Sequence, residues 1–173
     1  AAALALAAQA RAGRRLRDGV QVVLAGAPNA GKSSLFNALL GEERAIVDAE
    51  PGTTRDVVTA RVVHRGLLYV LHDTAGLRDD AGRVERLGMH RTEQALATAD
   101  VVLLLHPADD DGPLAAPLPP GTALVAVTTK CDLRPDRAAR PDEVATSSAT
   151  GRGLEDLWLR IESEADAGGL HSA

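Results

Sequence analysis

The chain has 173 residues, which suits one domain, and its hydrophobic fraction of 45% and charged fraction of 25% are ordinary for a globular protein. The net charge of −5 argues against an intrinsic nucleic-acid surface, because neutralising phosphates needs clustered basic residues. Cys131 is the only cysteine, which excludes an internal disulfide and fits a reducing compartment, so we expect a cytoplasmic location. No apolar run approaches the roughly 20 residues of a membrane-spanning helix, so we expect no membrane partner.

The N-terminal segment, residues 1–18, is rich in alanine and predicts a helix that ends at Asp18-Gly19. Basic side chains cluster in its C-terminal part, where they suit the helix dipole: Arg11, Arg14, Arg15 and Arg17. These arginines could form an RNA-binding patch, but a solvated helix end is the interpretation that we favour.

The stretch Gly26-Ala27-Pro28-Asn29-Ala30-Gly31-Lys32-Ser33 follows an apolar run and opens an apolar-periodic segment that begins at Ser34. This order predicts a strand, a glycine loop and a helix, the context that makes G-x-x-x-x-G-K-[ST] a phosphate-binding loop. Backbone N–H groups of the loop and the helix N-terminus would surround phosphate oxygens. We expect Lys32 to reach the β- and γ-phosphates and the Ser33 hydroxyl to ligate Mg²⁺. A glycine-rich turn that binds nothing is the alternative.

Lysine is rare in this chain: 17 of the 19 basic residues are arginine, and the two lysines are Lys32 and Lys130. A compact ammonium is not interchangeable with a planar guanidinium. We therefore expect both lysines to contact a nucleotide.

The segment from Glu42 to Asp56 has no clear period and predicts a long loop, which in a compact domain is usually functional or disordered. One of its two threonines, Thr53 or Thr54, should coordinate Mg²⁺ when a γ-phosphate is present, so that the loop acts as a switch. The alternative is a pair of ordinary loop threonines. Two apolar runs separated by Arg65-Gly66 follow and predict a hairpin.

The motif Asp73-Thr74-Ala75-Gly76 stands at the end of the second hairpin strand. Asp73 can meet Mg²⁺ through water there, and Gly76 can offer its backbone N–H to a γ-phosphate. The alternative is an aspartate in a turn. A helix over 88–98 and a buried strand over 101–105 are predicted next.

The stretch Thr129-Lys130-Cys131-Asp132 follows another buried strand, at the place where a purine would lie. The Asp132 carboxylate matches two N–H donors of guanine, whereas adenine presents an acceptor, so we expect strong rejection of adenine. The Lys130 stem can cover one face of the base. In Ser148-Ala149-Thr150, a backbone N–H could bind the guanine carbonyl oxygen.

Strands that alternate with helices predict an α/β fold, that is, an open, mostly parallel sheet with ligand loops at the strand C-termini. The phosphate loop and the motifs that follow it resemble those of P-loop GTPases, and this resemblance implies six strands with one antiparallel edge strand and helices on both faces. The final helix should bury Leu154, Leu157, Trp158 and Ile161, which are spaced i, i+3, i+4, i+7.

The order of these motifs resembles the translation-factor-like GTPases, and three stretches resemble the tRNA-modification GTPase MnmE (TrmE). They are Asn29-Ala30-Gly31-Lys32-Ser33-Ser34, Gly52-Thr53-Thr54-Arg55-Asp56, and Asp73-Thr74-Ala75-Gly76-Leu77-Arg78 followed by Val84-Glu85-Arg86-Leu87-Gly88. The resemblance covers roughly residues 19–161. It implies GTP binding and hydrolysis to GDP and phosphate, with Lys32, Ser33, Ser34, Asp48 and Thr74 among the nucleotide-binding residues.

The resemblance also implies a catalytic set of Glu85, Lys32, Thr54 and Gly76, in which Glu85 positions the attacking water. Leu77 stands where Ras-like enzymes have a glutamine, and it cannot hydrogen-bond water. A potassium ion takes the place of an arginine finger, held by Asn29, Thr53 and the carbonyls of Asp48 and Glu50, while Ser33, Thr54 and Asp73 serve Mg²⁺. The rival explanations are a solvated Glu85 and a finger supplied in cis by Arg55 or Arg78.

Two departures from the family pattern stand out. Thr129 occupies a position that is usually asparagine, which ties the base loop to the phosphate loop, so we predict weaker nucleotide affinity without changed base choice. Glu50-Pro51 is unusual beside a cation, since Pro51 stiffens the loop and Glu50 adds negative charge.

The implied organisation is a linker helix (1–18), a GTPase domain (19–165) and a tail (166–173), excised from a longer protein. Implied partners are GTP and GDP, a second copy across the switch face, and, in the full-length protein, the FAD-dependent GidA (MnmG) and tRNA whose wobble uridine is modified. The alternatives are a ribosome-assembly GTPase like Der or Era and a nucleotide-dependent interaction module with little catalysis.

Overall fold

A computed structural model of the chain describes residues 10, 13–42, 44–46, 58–74, 94–109, 118–136 and 142–167. Within these residues, seven strands form one sheet with the spatial order β2-β3-β4-β1-β5-β6-β7. The strands are β1 (Val20–Gly26), β2 (Arg44–Ile46), β3 (Val58–His64), β4 (Leu67–Asp73), β5 (Val101–Pro107), β6 (Ala123–Thr129) and β7 (Glu143–Ala145).

The helices accompany this sheet in chain order. Helical residues 13–18 (α1) precede β1, and helical residues 94–98 (α3) precede β5. The longer helices are α2 (Lys32–Glu42) and α4 (Leu154–Ala167), and a 3₁₀ helix covers Cys131–Leu133. Among the described residues, no helix combines the length and the apolar character needed to cross a membrane.

The predicted fold class is confirmed, although the sheet has seven strands instead of the expected six. Strand β1 pairs in parallel with β4 and β5, and the parallel pairing continues through β6 to β7. Strand β3 is antiparallel to both of its neighbours, β4 and β2. The short strand β2 lies at the edge beyond β3, within the segment from Glu42 that we had predicted as a loop without secondary structure.

The predicted hairpin of β3 and β4 is present, and its turn explains the register. Arg65 has φ 47° and Gly66 has φ 84°, so both central residues are left-handed. A two-residue turn of this kind matches the twist of paired strands. It sets the pairing that runs from His64 opposite Leu67 to Val58 opposite Asp73.

The main hydrophobic core lies on the sheet face that packs against α2 and α4. Alternate residues of the strands point into it, since successive side chains in a strand face opposite sides. All four predicted apolar residues of α4 are buried there: Leu154, Leu157, Trp158 and Ile161. A smaller cluster on the opposite face joins Val23, Ala99 and Val102 to side chains of α3.

Two arginines of α1, Arg14 and Arg15, do not match the interpretation of a solvated helix end or that of an RNA patch, whereas Arg17 is exposed as a solvated end predicts. The Arg15 side chain is 3% exposed and its Nε donates to Asp100 Oδ1 at 2.9 Å. Arg14 donates to the same oxygen at 2.6 Å, and the Gln21 backbone N–H donates to Asp100 Oδ2 at 2.9 Å. The Asp100 carboxylate therefore fixes α1 and β1 at the end of the sheet opposite the phosphate loop.

Candidate functional site: a phosphate loop and a base loop

The phosphate loop connects the end of β1 to the start of α2. Three of its residues have positive φ: Gly26 at 148°, Asn29 at 62° and Gly31 at 88°. A Cβ atom at Gly26 would lie 2.4 Å from the carbonyl oxygen of Leu105, so only glycine allows β5 to approach this closely. The loop thus adopts the strand–loop–helix geometry that the motif predicts.

Lys32 stands at the first position of α2, and its side chain turns back over the loop. Its Nζ donates to the carbonyl oxygens of Gly26 at 3.0 Å and Ala27 at 2.7 Å. The residue is only 5% exposed. These bonds hold the ammonium group inside the loop, beside the backbone amides that precede α2.

The two predicted Mg²⁺ ligands that the structure describes meet across the site. The Ser33 hydroxyl donates to Asp73 Oδ2 at 2.7 Å. The pair offers one hydroxyl and one carboxylate oxygen, the hard ligands that Mg²⁺ prefers, and Mg²⁺ usually takes waters and phosphate oxygens as its other ligands. Next to it, the Thr74 hydroxyl donates to the carbonyl of Leu24 at 2.8 Å and holds the end of β4 against β1.

The base loop, residues 129–132, is attached to the phosphate loop by two side chains. The Thr129 hydroxyl donates to the carbonyl of Ala30 at 2.7 Å, and Lys130 Nζ donates to the carbonyl of Asn29 at 3.0 Å. Both lysines of the chain therefore bind phosphate-loop carbonyls. We had predicted weaker nucleotide affinity because Thr129 replaces the asparagine that ties the base loop to the phosphate loop. The Thr129 hydroxyl makes that tie, so this reason for the prediction is wrong.

Lys130 has φ 57°, a left-handed conformation that turns the chain sharply at the end of β6. Asp132 follows in the first turn of the 3₁₀ helix and is exposed. Its carboxylate is accessible to a base that approaches from solvent.

The second predicted base loop, Ser148-Ala149-Thr150, leaves β7 beside the first. The Cys131 N–H donates to the carbonyl of Thr146 at 3.1 Å and joins the two loops. Ser147 is fully buried, and its hydroxyl accepts a hydrogen bond from the Thr150 N–H at 3.3 Å. Ser148 is half-buried and Ala149 is exposed, so this turn lies at the surface beside residues 129–132.

A family model described as 50S ribosome-binding GTPase matches residues 21–119, from β1 through the phosphate loop and β5. The chain belongs to this GTPase family. It is a GTP hydrolase by family, and the expected resemblance to MnmE is confirmed by the sequences of curated relatives.

Two such relatives are proteins named tRNA modification GTPase MnmE. The one from Chelativorans sp. (strain BNC1) is 45% identical over 153 residues, 88% of this chain and 34% of that protein. The one from Methylorubrum populi is 48% identical over 159 residues, 91% of this chain and 35% of that protein. The chain therefore spans about a third of the length of these relatives. Among solved structures, it resembles the G domain of the T. maritima FeoB iron transporter, with a TM-score of 0.59, 26% identity and coverage of 84% of this chain and 98% of that one.

Several predicted site residues of this GTPase lie outside the described residues. They are the switch and potassium residues Asp48, Glu50, Thr53 and Thr54, the motif residues Ala75 and Gly76, and Glu85. Leu77 and the alternative fingers Arg55 and Arg78 also lie there. Of the predicted potassium ligands, the structure describes Asn29 alone.

Sequence reasoning missed one buried polar cluster of the GTPase, formed by His106, Thr128 and Glu143 at the ends of β5 and β6 and in β7. His106 and Thr128 are 6% and 3% exposed. The available signal was a polar side chain at the C-terminal end of each of two otherwise apolar strands, in register with one another.

Proposed function

We propose that this domain binds GTP across the phosphate loop and the base loop, and that its GTP hydrolysis serves the modification of the wobble uridine of tRNA. The observation that carries the proposal is the pair of hydrogen bonds from Thr129 and Lys130 to Ala30 and Asn29. They join the phosphate loop and the base loop into one unit, which supports the proposal that one nucleoside triphosphate would bind across both.

The triphosphate end of the site uses Lys32, Ser33 and Asp73. Lys32 would exchange one of its two carbonyl partners for a phosphate oxygen, which is a stronger, charge-assisted hydrogen bond. Ser33 and Asp73 would hold Mg²⁺, whose bound charge offsets the negative charge that develops on the β- and γ-phosphates. The helix N-terminus of α2 adds its dipole at the same point.

The base end of the site uses the Asp132 carboxylate, which accepts hydrogen bonds and cannot donate them when ionised. Substituting Asp132→Asn replaces one acceptor with a donor, so the variant should lose GDP affinity and gain affinity for xanthosine diphosphate, whose carbonyl accepts from the amide. Fluorescent-nucleotide titration measures both affinities. Asp136→Asn, an exposed change four residues beyond Asp132 and outside the base loop, serves as the control and should leave both affinities unchanged. Equal affinity of the unaltered domain for adenine and guanine nucleotides would contradict the assignment.

For catalysis we propose that Glu85 positions the attacking water, with Thr54 and Gly76 around the γ-phosphate and a potassium ion held by Asn29, Asp48, Glu50 and Thr53. Closure of two copies across the switch face would exclude water from this site. The proposal rests on the family pattern, since Leu77 offers no hydrogen bond to water. Arg55 or Arg78 acting in cis is the competing mechanism.

A turnover assay in potassium against sodium separates these mechanisms. We expect GTP hydrolysis to be faster in potassium, to rise more than linearly with protein concentration, and to fall to background in Glu85→Ala. Equal turnover in both ions would favour an arginine finger. Background hydrolysis in both ions at high protein concentration would instead indicate an interaction module with little catalysis.

We propose tRNA rather than the ribosome as the setting, because relatives that match most of the chain carry a tRNA-modification name. The partners would then be tRNA and the FAD-dependent GidA (MnmG), acting with the full-length protein in the cytoplasm. A full-length relative whose G domain is replaced with this chain should still modify the wobble uridine, whereas the same protein without a G domain should not. GTP-dependent co-sedimentation of the chain with large ribosomal subunits would favour the Der-like or Era-like alternative.

A further inference from the structure

The polar cluster at the ends of β5 and β6 and in β7 is a hydrogen-bonded chain of three side chains. The Thr128 hydroxyl donates to Glu143 Oε2 at 2.9 Å. Because that proton is used, the Thr128 oxygen accepts at 3.1 Å from His106 Nε2, which therefore carries a proton. The same nitrogen lies 3.3 Å from Glu143 Oε1.

This cluster is sealed from solvent. The side chains of His106 and Glu143 are 7% and 4% exposed, and Thr128 is 3% exposed. Among the described residues, His106 Nδ1 is buried without a hydrogen-bond partner. Since no substrate can reach the threonine, the arrangement cannot serve as a nucleophile with its base, and its action has to pass through its neighbours.

Those neighbours are the starting points of both base loops. Thr128 directly precedes Thr129, whose hydroxyl donates to the phosphate loop. The backbone carbonyl of Thr128 accepts a hydrogen bond from the Thr146 N–H at 2.7 Å. Glu143 lies in β7, which leads through Thr146 to the Ser148-Ala149-Thr150 turn. The cluster thus joins the two strands at the points from which the loops that would hold the purine depart.

The backbone ladder between these two strands is short. The pairing of β6 with β7 covers three residue pairs, from Ala126 opposite Glu143 to Thr128 opposite Ala145. Strand β7 lies at the edge of the sheet in the described part of the chain, so it has one neighbour to fix its position. Because this ladder is short, the buried, charge-assisted hydrogen bond between Thr128 and Glu143 contributes a large part of the interaction that fixes β7 against β6.

We propose that His106, Thr128 and Glu143 are positioning residues for the nucleotide base. They hold β6 and β7 at the spacing at which Asp132 and the Ser148-Ala149 backbone can contact one purine together. They do not touch the nucleotide, and their contribution lies in affinity rather than in the hydrolytic step. The inference rests on the proposed binding of guanine nucleotides by these two loops.

The test compares Thr128→Val with Thr128→Ser. Valine has the shape of threonine but removes both hydrogen bonds, whereas serine keeps the hydroxyl. For Thr128→Val we expect the Kd for fluorescent GDP and the KM for GTP to rise about tenfold, the effect of one to two lost hydrogen bonds, with kcat unchanged. Thr128→Ser should bind within about twofold of the unaltered domain, since the hydrogen-bonded chain persists.

Glu143→Gln and Glu164→Gln provide a second comparison and its control. The glutamine at 143 keeps an acceptor for Thr128 but loses the charge, so we expect an intermediate rise in Kd. Glu164 pairs with Arg160 on the surface of α4, far from the base loops, and its substitution should not change Kd.

Two outcomes would overturn the inference. In the first, Thr128→Val unfolds at a lower temperature but binds GDP as tightly as Thr128→Ser, which would make the cluster purely structural. In the second, the valine variant lowers kcat and leaves KM unchanged. If the unaltered domain binds no guanine nucleotide, the proposed function itself fails, and that result is distinct from both.

Discussion

Thr129 shows how one hydroxyl can serve where an amide is expected. Its oxygen lies 2.7 Å from the carbonyl of Ala30 and 3.2 Å from the carbonyl of His106. A hydroxyl has one proton to donate, whereas an asparagine amide has two. The shorter contact is with the phosphate loop, so the tie between the loops is kept.

Removing this tie should weaken nucleotide binding. We expect Thr129→Val to raise the Kd for GDP about tenfold, since a buried carbonyl of Ala30 loses its donor. Thr129→Asn should lower the Kd by less than about tenfold, because its gain is limited to one further N–H. Isothermal titration calorimetry measures both values. A valine variant that binds as tightly as the unaltered chain would contradict the role of the hydroxyl.

Tyr69 lies in a second unusual residue environment. Its ring packs edge-on against Trp158 at 5.2 Å between centroids, and Trp158 stacks on His64 at 4.5 Å. The Tyr69 hydroxyl is buried and has no hydrogen-bond partner among the described residues. Burial, aided by the carboxylates of Glu162 and Asp166, raises the pKa of Tyr69 well above its usual range.

This environment predicts a stability change at alkaline pH. Folding raises the pKa of Tyr69, so the free energy of unfolding does not depend on the ionisation of this group below the unfolded pKa of about 10 and falls as the pH rises above it, because the unfolded chain ionises more readily. Tyr69→Phe should remove that loss and raise the free energy of unfolding by about 1 kcal/mol at neutral pH, because it deletes an unpaired buried hydroxyl.

Urea unfolding at several pH values measures the effect, and phenolate absorbance reports this residue alone since Tyr69 is the only tyrosine. An ionised Tyr69 in the folded domain near pH 10 would contradict the prediction.

At the scale of elements, Asp100 is the point at which the ends of α1, β1 and β5 meet. Its carboxylate accepts hydrogen bonds from the side chains of Arg14 and Arg15 and from the Gln21 backbone N–H, and its side chain is 2% exposed. Arg15 Nη1 also donates to the carbonyl of Ala165 at 2.7 Å, near the C-terminal end of α4. A buried carboxylate needs such a set of donors to offset its loss of hydration.

Breaking this junction should be costly. We expect Asp100→Asn to lower the free energy of unfolding by about 3 kcal/mol, because Arg15 is left buried without its counter-charge. Chemical denaturation followed by Trp158 fluorescence measures the change. Asp18→Asn alters the exposed Arg17–Asp18 pair and should change stability by less than about 0.5 kcal/mol. Similar losses in both variants would contradict the buried ion pair.

Helices, strands and turns could be predicted from the sequence where neighbouring residues alone determine the local structure. The Arg65-Gly66 turn fixes the hairpin, and the spacing of Leu154, Leu157, Trp158 and Ile161 fixes the buried face of α4. The short strand β2 was missed because three residues carry no period, and its pairing with β3 is tertiary. Arg15 was misjudged because its partner, Asp100, lies 85 residues away along the chain.

At the scale of the molecule, the site depends on how the loops at the C-terminal ends of the parallel strands meet. The motifs predicted that Ser33 and Asp73 would serve the same Mg²⁺ site, since each role requires a particular residue type at a set spacing. The two side chains are indeed hydrogen-bonded to one another. The contact of Thr128 with Glu143 depends on the register of β6 against β7, and that of Thr129 with Ala30 depends on how the phosphate loop approaches β6, so neither could be predicted from the sequence.

Nucleotide binding across both loops should stabilise the whole domain. GDP at about 100 times its Kd adds about 2.7 kcal/mol, which raises the Tm of a domain of this size by about 5–10 °C. ADP at the same concentration should leave the Tm unchanged. Trp158, the only tryptophan, reports the unfolding of the α4 face. Equal shifts with GDP and ADP would contradict selective recognition of guanine.

The bond from Arg15 to the carbonyl of Ala165 places α1 and the C-terminal part of α4 side by side, at the end of the sheet away from the nucleotide loops. Domains whose two ends lie close together can be inserted into a host protein with little distortion. This GTPase unit is therefore suited to grafting into an exposed loop of an unrelated protein. There, binding of guanine nucleotide would stabilise the inserted unit, and this stabilisation would reach the host protein through the two neighbouring points at which the insert is joined to it.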